Sequence, residues 1–229
     1  MSDQDQMAVL DEMLPSTQQV DEKALMAGTD FLSRLSLVTF NSDVVKEDKI
    51  KAGHWAVIGT GSEIEEDLGP EAVVVLVDFR PKAADLSNKA EPVISFDMQS
   101  DFFQKIKKIC DDKSIPSEDK QGLMYGPEYL VFIPELNRFV TFHCGSISLR
   151  ISSRAIHGLF TRRVPVLAKN KVTKGKKGSW HVPIVMQYTG EFQMCLKDDL
   201  NEAVAKFREE AAKNVNPEEA PEEASSRDR

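Results

Sequence analysis

Ala72-Val73-Val74-Val75-Leu76-Val77-Asp78-Phe79 is the most apolar run in this 229-residue chain. It is rich in β-branched residues and follows the turn signal Gly69-Pro70, so it reads as a central strand buried on both faces. Upstream, Phe31–Phe40 alternates and places Leu35 and Leu37 on one face of a half-buried strand, and His54–Gly59 reads as a second strand closed by glycine. Between that strand and the apolar run, Thr60–Pro70 is acidic and glycine-bearing and reads as a loop.

Downstream, Pro92–Phe96 is short and strand-like. Ser100–Cys110 carries Phe102, Phe103, Ile106 and Ile109 at helical spacing, with Ser100 placed as the N-cap. Tyr129–Ile133 and Arg138–His143 are aromatic and β-branched, and Pro134-Glu135-Leu136-Asn137 between them makes a hairpin. Ser146–Phe160 reads as a helix presenting Leu149, Ile156 and Phe160. Val164–Leu167 and Ser179–Tyr188 read as extended segments joined by the lysine- and glycine-rich turn Lys174–Gly178. Asp198–Lys213 reads as a helix with Leu200, Val204 and Phe207 on one stripe and acids near its start. The fold class expected is α+β, mainly an antiparallel β-sheet or a partly open barrel of the oligonucleotide-binding type, with a few helices.

Residues 1–28 are acidic and polar and read as a flexible arm, residues 29–213 as a single core, and the proline-broken acidic residues 214–229 as a disordered tail. No run approaches the roughly 18 apolar residues that cross a bilayer, and the first thirty residues bear acids where a secretory signal has bases. A cytoplasmic location, in the host cell if the protein is viral, and no membrane partner are expected. Cys110, Cys144 and Cys195 are too scattered for a disulfide framework or a CxxC metal site.

The net charge of −8 hides a sharp partition. Between Glu135 and Glu191 there is no acid, while Arg138, Arg150, Arg154, Arg162, Arg163, Lys169, Lys171, Lys174, Lys176 and Lys177 supply ten positive charges, leaving −18 for the rest of the chain. Such asymmetry points to an anionic partner.

Enzyme signatures fail. Gly59-Thr60-Gly61 follows a strand, but Ile64 stands where a dinucleotide loop needs its third glycine, and Glu63, Glu65, Glu66 and Asp67 repel a pyrophosphate. No GxxxxGK[ST], HExxH or GxSxG occurs. His143 and Cys144 are the only adjacent ligand pair, and neighbours on a strand point to opposite faces. Asp78, Asp97 and Asp101 have no diagnostic metal spacing. No cofactor and no metal are expected.

What remains is basic and aromatic. Lys and Arg attract phosphates, and unpaired bases stack on aromatic rings. Phe139 and Phe142 fall on opposite faces of their strand, so one can pack in the core while the other stacks, and Trp180 directly follows the lysine turn. The candidate interface is therefore the ten cations named above with Phe142 and Trp180.

The β-rich core, the loop KVTKGKKGSW and the acidic C-terminal tail together resemble, over residues 31–229, the layout of bacteriophage single-stranded DNA-binding proteins with an oligonucleotide-binding fold. YGPEYLVFIP and RFVTFHCGS look like segments of phage-type proteins. The resemblance implies a role in phage replication or recombination, and a tail that covers the DNA groove and recruits a protein partner. This tail departs from that pattern by ending in Arg227-Asp228-Arg229, without a terminal aromatic residue.

The expectation is a non-enzymatic binder of single-stranded DNA, with RNA left open. A phage structural or assembly protein without nucleic-acid binding, and a metal-dependent nuclease, are the alternatives.

Overall fold

The computed structural model describes residues 33–39, 49–59, 63–88, 92–116, 118–145, 147–175 and 178–213, with backbone alone at 147–153, 175, 178 and 180. The predicted arm and tail lie outside the described residues, as do Lys176 and Lys177.

In chain order the elements are β1 (Arg34–Leu37), β2 (Trp55–Ile58), β3 (Ile64–Gly69), β4 (Ala72–Asp85), β5 (Val93–Ser95), α1 (Asp101–Asp111), β6 (Leu123–Ile133), β7 (Arg138–His143), α2 (Ile147–Thr161), β8 (Val166–Gly175), β9 (Gly178–Gln187) and α3 (Lys197–Lys213). The architecture is α+β. One open nine-stranded sheet runs β3-β2-β1-β7-β6-β4-β8-β9, with β5 also paired to β4. Every pairing is antiparallel except β1 with β7, which meet in parallel at the single pair Arg34 and Thr141.

The apolar run is the centre of the sheet, but β4 continues through Asp85 and includes Pro81. Proline survives inside a sheet only where no partner needs its missing N–H. Pro81 stands opposite Pro127, and the other edge of β4 is occupied by β8 only at Ala72–Val74 and by β5 only at Ala83–Asp85. Pro81 therefore interrupts no ladder bond, and Pro127 lies just past the last β6–β7 pair, where its carbonyl still accepts from the Cys144 N–H at 2.8 Å.

A register shift between Leu76 and Asp78 marks a bulge at Val77. An extra residue re-aims everything beyond it. Ala72, Val74 and Leu76 share one face with Phe79 and Ala83, while Val75, Val77, Asp78, Arg80 and Lys82 share the other. On the first face Ile156 and Leu159 of α2 join Tyr129, Val131, Val140 and Val166 in the main core, and Phe103, Ile106 and Cys110 of α1 pack on Ala83. On the second face Leu200, Ala203, Val204 and Phe207 of α3 cover Val75, Val77, Leu130 and Phe132.

All three expected helices form, and two of them, α1 and α3, carry local signals at their starts. The Ser100 hydroxyl accepts from the Phe103 N–H at 3.2 Å, capping α1, and Asp198 and Asp199 sit in the first turn of α3. The β6–β7 hairpin closes through Asn137, whose φ of 47° is the left-handed region that Asn tolerates.

Two readings are corrected. Thr60–Pro70 is not all loop, because Ile64–Gly69 forms β3, an edge strand bonded only to β2. An edge strand need not alternate apolar residues, and charges such as Glu66 and Asp67 keep it from pairing further. The lysine-rich turn is also shorter than expected. β8 and β9 pair from Val166 with Gln187 to Gly175 with Gly178, so cross-strand pairing holds Lys169–Lys174 extended.

Arg80 fastens α3 to the sheet. Its guanidinium lies 3.9 Å from the Phe96 ring centroid and 4.0 Å from that of Phe207. It pairs with Glu128 at 2.7 Å and Glu210 at 2.6 Å, and donates to the Phe207 carbonyl. Lys82 meets the other Glu128 oxygen at 2.5 Å, so a 2%-exposed carboxylate is bound by two cations.

Phe207→Ala is expected to destabilise the fold by about 3–5 kcal/mol, because it opens a core cavity and removes one side of the Arg80 sandwich. Urea unfolding followed by circular dichroism measures this. A loss below about 1 kcal/mol is incompatible with α3 packed as described.

Candidate nucleic-acid interface

The structure divides the predicted cations rather than gathering them. Arg138 pairs with Glu65 at 2.5 Å and donates to the Ser33 hydroxyl at 2.8 Å, and Lys169 pairs with Glu71 at 2.6 Å. The acid-free segment is thus not acid-free in space, because β3 and the turn after it deliver carboxylates from elsewhere in the chain. Arg154, Arg162 and Arg163 are exposed on α2 and the turn that follows it. Lys171 and Lys174 are exposed on β8. α2 packs on the face that holds Val166 and Ala168, so strand alternation turns Lys169 and Lys171 to the opposite face. The basic residues therefore form an α2 group and a ribbon group. For Arg150 and Trp180 only the backbone is described, with Trp180 opposite Thr173 in the ladder.

Phe142 is not a stacking residue. It is 5% exposed and lies edge-on to Trp55 at 5.7 Å between ring centroids, because β7 turns Val140 and Phe142 together into the main core. Phe139, on the other face, packs against Phe132 at 5.1 Å.

An aromatic group that the sequence reading missed does reach the surface. Phe79 is 43% exposed although it belongs to the central strand. Its ring stands edge-on to His157 at 5.5 Å and to Phe160 at 5.3 Å, with the buried Tyr129 ring 6.1 Å away. Arg154 lies three residues before the exposed His157, hence beside it on the helix surface. The three-residue spacing of Arg154, His157 and Phe160 was legible as a helical stripe. Phe79 was not, because only the bulge at Val77 puts it there.

The groups weighed for catalysis are held apart. Asp78 pairs with Arg208 at 2.8 Å, Asp97 accepts from the Gln99 N–H in the turn before α1, and Asp101 lies in the first turn of α1. Among the described residues no three of His, Cys, Asp and Glu come together as metal ligands. His143 and Cys144 diverge as strand geometry requires, Cys144 into the main core and His143 toward Glu128 and Lys82. Burial pushes the Cys144 thiol up to about 12, which keeps it protonated. Burial also tends to raise Glu128, but Lys82 and then Arg80 outweigh it and hold the carboxyl below its ordinary value.

Among the described residues no helix is long and apolar enough to cross a membrane. Comparison of the chain with protein-family models, with curated proteins and with solved structures finds no match.

Burial, reinforced by Lys82, lowers the His143 imidazole to about 4. The unfolded chain, titrating near 6.5, then binds more protons than the folded one between those values, so stability falls as pH drops through this window. The loss is on the order of 3 kcal/mol. Urea unfolding at pH 7, 5.5 and 4 is expected to follow this trend, and His143→Gln to flatten it. An unchanged slope in the variant would place the titration elsewhere.

Proposed function

We propose that this chain is a non-enzymatic, sequence-tolerant binder of single-stranded nucleic acid. Bases stack on the Phe79–His157–Phe160 group, and phosphates meet the arginines of α2 and, where β8 projects past β4 as a two-stranded ribbon, Lys174 on the α2 face and Lys171 on the other. The observation that carries this reading is the exposed Phe79 ring in the central strand, edge-on to the exposed His157 of α2. A large apolar ring left in water is costly, and unpaired bases present the flat apolar faces that cover it. Beyond Ala168, β8 leaves β4 and continues with β9 as a two-stranded ribbon, which carries Lys171 and Lys174 outward to a backbone. The resemblance in sequence layout to phage single-stranded DNA-binding proteins supports this use.

Exposed Val172, Ile184 and Met186 on the same ribbon favour a second reading, an assembly protein that meets a protein surface there.

Titration with single-stranded and duplex DNA of equal length at two salt concentrations separates the two. Single strands are expected to bind more tightly, with log K falling against log salt at a slope near −3.5 if about five phosphates are neutralised. Phe79→Ala is expected to weaken single-strand binding about tenfold or more, from about 1–3 kcal/mol per stacked base, and to leave the salt slope unchanged. Lys171→Ala with Lys174→Ala is expected to make the slope shallower by about 1.4. Equal affinity for both forms removes the stacking, and a flat salt response removes the electrostatics in favour of assembly.

A further inference from the structure

A cleft of about 640 Å³ opens beside β1, with Arg80, Lys82 and Glu128 lining it from the face opposite Phe79 and Leu35 and Phe142 closing its other side. It exists because β1 and β7 pair only at Arg34 and Thr141, so beyond that point the strands part. Phe96 and Glu210, both tied to Arg80, stand along its wall, and Arg34, Lys82, Thr141 and His143 line it.

Its side chains are not a random sample of surface. Leu35 is buried in the main core, so alternation turns Arg34 to the opposite face, where it carries no ion pair among the described residues. Lys82 is largely buried, and Glu128 occupies one of its three donors. Arg80 is consumed by Glu128, Glu210 and the Phe207 carbonyl. The lining thus holds the cations Arg34, Arg80 and Lys82 against the carboxylates Glu128 and Glu210, an excess of positive charge beside low-dielectric walls. His143 stands on the cleft wall with its Nε2 closed off from solvent, so its ring senses the cleft without contacting what fills it.

We infer that this cleft binds a small organic anion, its negative group held between Arg34 and Lys82. The apolar part of such a ligand meets Phe96, Ile94 and Met124. This site is separate from the aromatic group on the other face, and it stands or falls independently of nucleic-acid binding. At neutral pH the depressed imidazole is uncharged, so His143 adds no third attracting charge.

The test uses the full chain with three probes, glycerol 3-phosphate, glycerate and uncharged glycerol. Imidazole ¹H–¹⁵N correlation spectra report on His143, and calorimetry gives affinity. Saturable binding of glycerol 3-phosphate or glycerate that shifts the His143 Nε2 resonance is expected, and the tighter of the two tells phosphate from carboxylate. Glycerol is expected not to bind. Arg34→Gln, at an exposed position, is expected to weaken binding at least tenfold. Lys171→Ala, on the ribbon, is expected to leave it unchanged. The inference is overturned if neither anion shifts His143 saturably, if Arg34→Gln binds as tightly as the native chain, or if Lys171→Ala loses the same affinity.

Discussion

The Arg80 guanidinium, stacked between Phe96 and Phe207 and paired with Glu128 and Glu210, is the interaction on which the arrangement of this protein depends. A charge that is 6% exposed persists only when its hydrogen bonds and counter-charges are complete, and removing one partner of such a group leaves the others buried and uncompensated. The four partners come from three separate parts of the chain. Phe96 follows β5, Glu128 belongs to β6, and Phe207 and Glu210 belong to α3. One side chain thereby fixes where the last helix lies, which end of β4 it covers, and how far the β5 segment stands from the sheet.

The same clamp sets the chemistry around it. Glu128 stays ionised because Arg80 and Lys82 flank it, and the charge of Lys82 in turn helps keep His143 neutral. The cleft beside them is open because β1 leaves β7 after one pair, their parallel meeting inside an otherwise antiparallel sheet.

The two faces of the sheet are given different work by a single inserted residue. Before the bulge at Val77 the run alternates as a two-sided core strand, and beyond it Phe79 turns toward α2 while Asp78 and Arg80 turn toward α3. Asp78 then meets Arg208 and Arg80 meets Glu210, so α3 is bound by charge along one side as well as by its apolar stripe. Phe79 meets His157 and Phe160 at the margin of α2, where the helix stops short of covering it.

Local pattern alone determined the apolar centre of β4, the β6–β7 hairpin, the cap of α1 and the buried stripe of α3, because each follows from periodicity and turn chemistry within a few residues. The tertiary structure alone decided what those elements present to a ligand. Arg138 and Lys169 are neutralised by Glu65 and Glu71, which lie in a different part of the sequence and arrive only through strand pairing. Phe142 is withdrawn into the core because β7 turns that face inward, a choice between two faces that alternation leaves open. Phe79 reaches the surface because a bulge shifts its register, and a bulge is fixed by pairing with a strand some fifty residues away. Charge and aromatic content are properties of the chain, but whether they are free to bind depends on contacts between residues distant along it.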